Sequence, residues 1–210
     1  ASTGWALATL GVKDEELFWA AARQATARIR EFKPQEMANT VWAFATLGVK
    51  DEELFGAAAR QATGRMCELN QQNVANTVWA FATLGVKDGE LFWAAARQAT
   101  ERMREFNPQD VANTVWAFAS RCVKDEELLR AAARQATERI REFNPQAVGN
   151  TVWALATLGV KDEVLFRAAA RQATARIREF KPQELANTVW AFATLGMNDG
   201  DRLCSLFYPS

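Results

Sequence analysis

Asn39-Thr40-Val41-Trp42 returns as Asn76-Thr77-Val78-Trp79, Asn113-Thr114-Val115-Trp116, Asn150-Thr151-Val152-Trp153 and Asn187-Thr188-Val189-Trp190. The interval is 37 residues each time, and Trp5 extends the series toward the N-terminus. A fixed period of this size marks a solenoid or a propeller, in which each unit buries its apolar side only against its neighbours. Divided into 210 residues, it gives about 5.7 units in one continuous repeat domain. The unit boundaries fall at 1–32 (partial), 33–69, 70–106, 107–143, 144–180 and 181–210 (partial).

Around the tetrad, Pro34 to Leu47 carries Met37, Val41, Phe44 and Ala45 on one side of a helix, with Ala38 and Trp42 alongside. This is helix A. Proline suits its first turn, Asn107 and Asn144 stand as N-caps of their copies, and Gly48 supplies a left-handed stop. After Val49-Lys50, Asp51 caps a second helix, B, whose acidic first turn suits the helix dipole. In the first unit its core stripe reads Phe18, Ala21, Ala25, Ile29 and Phe32. No stretch shows the two-residue alternation of a strand, so the expected fold is all-α. It is a solenoid of αα-hairpins, a right-handed or gently curved superhelix, in which triple alanines such as Ala20 to Ala22 let helix axes approach closely.

With 25 basic and 25 acidic side chains, three cysteines and no histidine, the sequence lacks the commonest general base and the commonest metal ligand. Cys67, Cys122 and Cys204 share no metal-ligand spacing, which points to inert thiols in a reduced compartment. The expectation is a protein without catalytic centre, metal or cofactor. A hydrophobic share of 49% supports a buried core, and the absence of a long uncharged apolar run argues against membrane insertion. The chain opens inside a unit with no Met or leader, and residues 198–210 depart from the repeat. Residues 198–210 are expected to serve as a makeshift cap and the N-terminal unit has none, so both ends read as poorly capped, and end-to-end association or a protein partner is expected there.

The segment Pro182-Gln183-Glu184-Leu185-Ala186-Asn187-Thr188-Val189-Trp190-Ala191-Phe192-Ala193-Thr194-Leu195-Gly196 resembles the signature of octotricopeptide repeats and the related heptatricopeptide repeats. The likeness spans nearly the whole chain. It implies a helical-hairpin solenoid of the kind that binds, stabilises, processes or helps translate transcripts in a chloroplast or mitochondrion. Two departures stand against it. Helix B opens Lys50-Asp51-Glu52-Glu53-Leu54 where the octotricopeptide pattern is rich in proline and carries Trp, and no RAP domain follows residue 197.

On a helical wheel the polar side of helix A holds Gln35, Glu36, Asn39, Thr40, Ala43 and Thr46, with Asn39 and Glu36 near its centre. Stacking would turn Asn39, Asn76, Asn113, Asn150 and Asn187 into a ladder. An amide donates and accepts, so the ladder suits a base edge or a peptide backbone; equally, each Asn can bond a neighbouring helix and set the stacking register. Beside it, one position varies: Glu36, Asn73, Asp110, Ala147, Glu184. It is the candidate for base discrimination, or else a solvated first-turn residue.

Net charge is zero, which weighs against nucleic acid, but the distribution is polarised along helix B. Its basic end places Arg28, Arg65, Arg102, Arg139 and Arg176 on one edge with Arg30, Arg104, Arg141, Arg178, Lys33 and Lys181. That edge also receives the N-terminal ends of the A helices, so it can track phosphates; alternatively the arginines complement the dipole and pair with acids such as Glu31. On the outer side of helix B, Trp19 and Trp93 either lie over Arg23 and Arg97 or contact a protein. The leading expectation is a non-enzymatic single-stranded RNA-binding solenoid. The alternative is a scaffold that grips a protein segment or forms part of a larger assembly.

Overall fold

The computed structural model describes residues 15–196, so Trp5, Cys204, both chain ends and the expected makeshift cap at 198–210 lie outside the described residues. Among the described residues there are ten α-helices and no strand. The B helices are α1 (Glu15–Arg28), α3 (Glu52–Gly64), α5 (Gly89–Arg102), α7 (Glu126–Arg139) and α9 (Glu163–Ala175). The A helices are α2 (Pro34–Thr46), α4 (Gln71–Thr83), α6 (Pro108–Ser120), α8 (Pro145–Thr157) and α10 (Pro182–Thr194). Hairpins stack in sequence order to give the expected all-α solenoid.

The caps follow from the sequence. Asp51, Asp88, Asp125 and Asp162 accept from the backbone N–H of Leu54, Leu91, Leu128 and Leu165 at 2.7–2.9 Å. Asn107 and Asn144 do the same for α6 and α8, and Asn70 does so for α4, each at 2.8 Å. At the other end of helix A, Gly48 N–H donates to Ala45 and Val49 N–H donates to Phe44 at 2.9 Å, the two bonds of a Schellman stop. Gly48, Gly85, Gly159 and Gly196 hold the positive φ it requires, and in the remaining unit Cys122 holds it at 54°. Each B helix also finishes in a 3-10 turn: Ile29–Glu31, Met66–Glu68, Met103–Glu105, Ile140–Glu142 and Ile177–Glu179. The apolar periodicity carries no sign of it, because a 3-10 turn keeps the stripe roughly in phase.

Successive A helices approach one another far more closely than successive B helices do. A two-layer array with unequal spacing bends toward the tighter layer, which puts the A helices on the inner side. Small residues make this possible. Ala38, Ala75 and Ala112 are 0–1% exposed. At the matching Gly149 an added Cβ would stand 3.1 Å from the Glu184 carbonyl oxygen. Behind this layer Phe81, Phe118 and Phe192 meet Phe55, Phe92 and Phe166 of the preceding B helices edge-on, with centroids 5.0–5.1 Å apart. The expected stripe of α1 holds at Phe18, Ala25 and Ile29. Ala21 is exposed, while its copies Ala58, Ala95, Ala132 and Ala169 are buried between hairpins.

A β-carbon in the left-handed region crowds the next carbonyl. Cys122→Gly is therefore expected to raise stability by about 1 kcal/mol, and Gly159→Ala to lower it by a similar amount. Urea midpoints of the two variants against the parent chain check this.

Candidate nucleic-acid interface

Each A helix has four sides, and packing claims three. Met37, Val41 and Phe44 face the B layer, Ala38 and Ala45 face the following A helix, and Thr40 and Ala43 mark the side turned to the preceding one. What stays open is Gln35, Asn39, Trp42 and Thr46, which recur as Gln72, Asn76, Trp79, Thr83 and, in the later units, as the same types apart from Ser120. The spacing i, i+4, i+7, i+11 is one helical stripe. In all five rows the glutamine is exposed and the asparagine half-buried.

Tryptophan lies alongside the core as expected, with Trp79, Trp116 and Trp153 packed against it, and its half-buried ring borders this open face. Trp42, Trp79 and Trp116 follow one another with ring centroids 6.4 Å apart and planes tilted by 34°. Trp153 and Trp190 repeat the contact at 6.4 Å and 38°. Within the two runs, Trp42 with Trp79 and Trp116, and Trp153 with Trp190, the rings lie too close to admit a base between them, so they form a rail in two stretches with a partly exposed flank. Trp42 sits three residues after Asn39 and four before Thr46, which sets it at the border between the apolar side and the polar stripe.

Among the described residues, the side-chain amides of Asn39, Asn76, Asn113, Asn150 and Asn187 have no protein hydrogen-bond partner. The register-bond alternative therefore finds no bond to rest on. These half-buried amides on the open face keep both donor and acceptor free.

The variable position is not at the centre of that face. Asn73, Asp110 and Ala147 are 4–6% exposed, and Gly149 packs against the Glu184 backbone, so this position lies on the seam between successive A helices. A helical wheel shows polarity without showing the neighbouring helix, so the place expected for this position at the centre of the groove does not hold. Ala43, also read as polar-side, is buried on the same seam at 3%. The variation has a local cause as well. Lys33 and Lys181 have no acceptor to cap α2 and α10, and there Glu36 and Glu184 accept from the lysine N–H at 2.8–2.9 Å. Where Asn occupies the cap, the third helical position is released to Asn73, Asp110 or Ala147.

Burial raises the Asp110 carboxyl above its usual range, against a smaller opposing hydrogen bond from the Asn107 backbone. With the folded pKa raised, the group favours the native state most below its unfolded value of about 4 and loses that contribution as pH climbs through the folded value. Asp110→Asn is thus expected to raise the unfolding temperature at pH 7, with a gain that fades as pH falls toward about 4. Thermal melts across this range check it.

The arginine edge divides into two sets. Arg65, Arg102, Arg139 and Arg176 each donate across the repeat to the carbonyl of Phe32, Leu69, Phe106 or Phe143 at 2.9–3.3 Å. The same guanidiniums, and that of Arg28, pair with Glu68, Glu105, Glu142, Glu179 and Glu31 at 2.5–2.6 Å. These hydrogen bonds hold the five carboxyls below their ordinary range. This set fastens the end of one B helix to the end of the one before. Arg30, Arg104, Arg141 and Arg178 form the second set. They stand mid-way along the 3-10 turns, exposed and without an ion-pair partner among the described residues; Cys67 fills their place in one unit. Lys33 and Lys181 are exposed beside them.

Arg139→Gln should lower the unfolding temperature by about 3 °C, because the Phe106 carbonyl loses a charged donor. Arg141→Gln, two residues away, should leave it within about 1 °C, since nothing is bonded there. Parallel melts separate the two.

Among the described residues no helix is long and apolar enough to cross a membrane, and no cluster of acidic or cysteine side chains has metal-site geometry. On the outer layer the Arg97 guanidinium sits 5.2 Å above the Trp93 ring. This favours the first of the two readings for that tryptophan.

The family model described as RNA-editing substrate-binding complex 6 protein matches residues 4–207. The chain belongs to that family. None of the curated proteins compared with the chain matches it. The RNA-editing substrate-binding complex 6 family is an RNA-associated one, which agrees with the coarser part of the sequence expectation. It does not single out octotricopeptide or heptatricopeptide repeats.

Proposed function

We propose that this chain is a non-enzymatic, RNA-binding solenoid that works within an RNA-editing assembly of an organelle, chloroplast or mitochondrion. Single-stranded RNA lies along the open A face. The observation that carries this reading is the ladder of five unpartnered asparagine amides beside the tryptophan rail. Amides pair with base edges, indole flanks support stacked bases, and Arg30, Arg104, Arg141 and Arg178 lie free at the edge for phosphates. The N-terminal ends of the A helices add partial positive charge along the same edge. The octotricopeptide-like pattern of helix A agrees with this mode of binding.

A scaffold role is the second reading. It is favoured by the word "complex" in the family description and by an open face that carries no charge. There the same amides would hold an extended peptide backbone.

Gel retardation and anisotropy with single-stranded RNA, against a neutral polymer as control, distinguish the two. RNA affinity is expected to fall with log salt at a slope near −2, about −0.7 for each of three phosphate contacts. Arg104, Arg141 and Arg178→Gln should flatten that slope with the melting temperature unchanged. Asn76, Asn113 and Asn150→Ala should weaken binding at all salt concentrations. A chain that retards no RNA would leave the scaffold reading.

A further inference from the structure

Rows that differ in chemistry read a mixed sequence; rows that share one chemistry cannot. Among the described residues every row of the open face offers glutamine, asparagine, tryptophan and a hydroxyl, and the sole exchange, Ser120 for threonine, keeps the hydroxyl. The position that would have individualised the rows is withdrawn into the seam at Asn73, Asp110 and Ala147, or has its carboxylate engaged with its own helix start at Glu36 and Glu184. Charge does not individualise them either, since the stripe itself carries none.

Resting on the RNA-binding reading above, we infer that the open face selects a run of one nucleotide, the same base at successive rows, over a mixed sequence. If each row prefers a given base, every other row prefers the same base. Total binding is then strongest for the strand that repeats it. The selectivity compounds: a threefold preference at each of the five rows becomes about 240-fold over the whole ladder, with contributions of separated positions roughly additive. A strand of alternating bases collects only part of it. Free arginines at the edge hold the phosphates of any sequence and so set affinity without altering this ranking.

The test is anisotropy of the purified chain with four homopolymeric ribonucleotides of about 12 bases and one mixed-sequence strand of equal length. Lithium buffer keeps the guanosine run unpaired. One homopolymer is expected to bind at least about 30-fold more tightly than the mixed strand, given imperfect additivity. A mixed strand within about threefold of the best homopolymer overturns the inference and leaves RNA binding standing. Failure of all five strands to bind overturns the RNA-binding reading with it. Single replacements Asn76→Ser, Asn113→Ser and Asn150→Ser supply a second measurement. Equivalent rows lose affinity for the preferred run by factors equal within about twofold, whereas unequal losses of tenfold or more show that the rows are not equivalent.

Discussion

The close approach of successive A helices is the constraint on which the rest of this molecule depends. Alanine or glycine at the 38-type position lets the backbone of one helix meet that of the next, with Gly149 against Glu184 the tightest instance. Anything larger would lever the layer apart and expose the buried threonines Thr77, Thr114, Thr151 and Thr188. The same approach bends the array toward the A layer. Sides of each helix that would otherwise differ in exposure are thereby sorted into seam, core and open face.

That sorting explains why the polar residues of helix A have separate fates. Asn39-type amides fall on the open face and keep both donor and acceptor free, while the 36-type residue, three positions earlier, is pressed against the preceding helix. A carboxylate there, as at Asp110, meets a dry environment and resists ionisation. Arginines only two residues apart diverge for a related reason. Arg139 turns back to the Phe106 carbonyl and fastens the B ends together, and Arg141 projects from the 3-10 turn into solvent. The wider spacing of the B layer gives such a fastening a distance to span that direct side-chain packing does not fill.

Much of this was legible in the amino acids. The period, the two helices per unit, the aspartate caps and the glycine stops all rest on interactions within a few residues along the chain, and periodicity reports those faithfully. The Asn ladder was also visible, because identity across units places it on a common face wherever that face points. Misreadings began where a second helix had to be known. Polarity assigned the Glu36 series and Ala43 to the groove, where the structure puts them on the seam. Asn70 escaped as a cap because Gln71 replaces the proline that marked Asn107 and Asn144.

By itself the sequence determined an all-α array of 37-residue hairpins, the aspartate caps of the B helices and the uniformity of the five rows, since these depend on local hydrogen bonding and on repetition. Only the tertiary structure decided which side of helix A stays open, that its tryptophans form a rail there, and which arginines are free. The reason is that a helix face has no intrinsic inside. Exposure follows from the distance and direction of the neighbouring backbone, and one chain segment does not encode where its neighbour will lie.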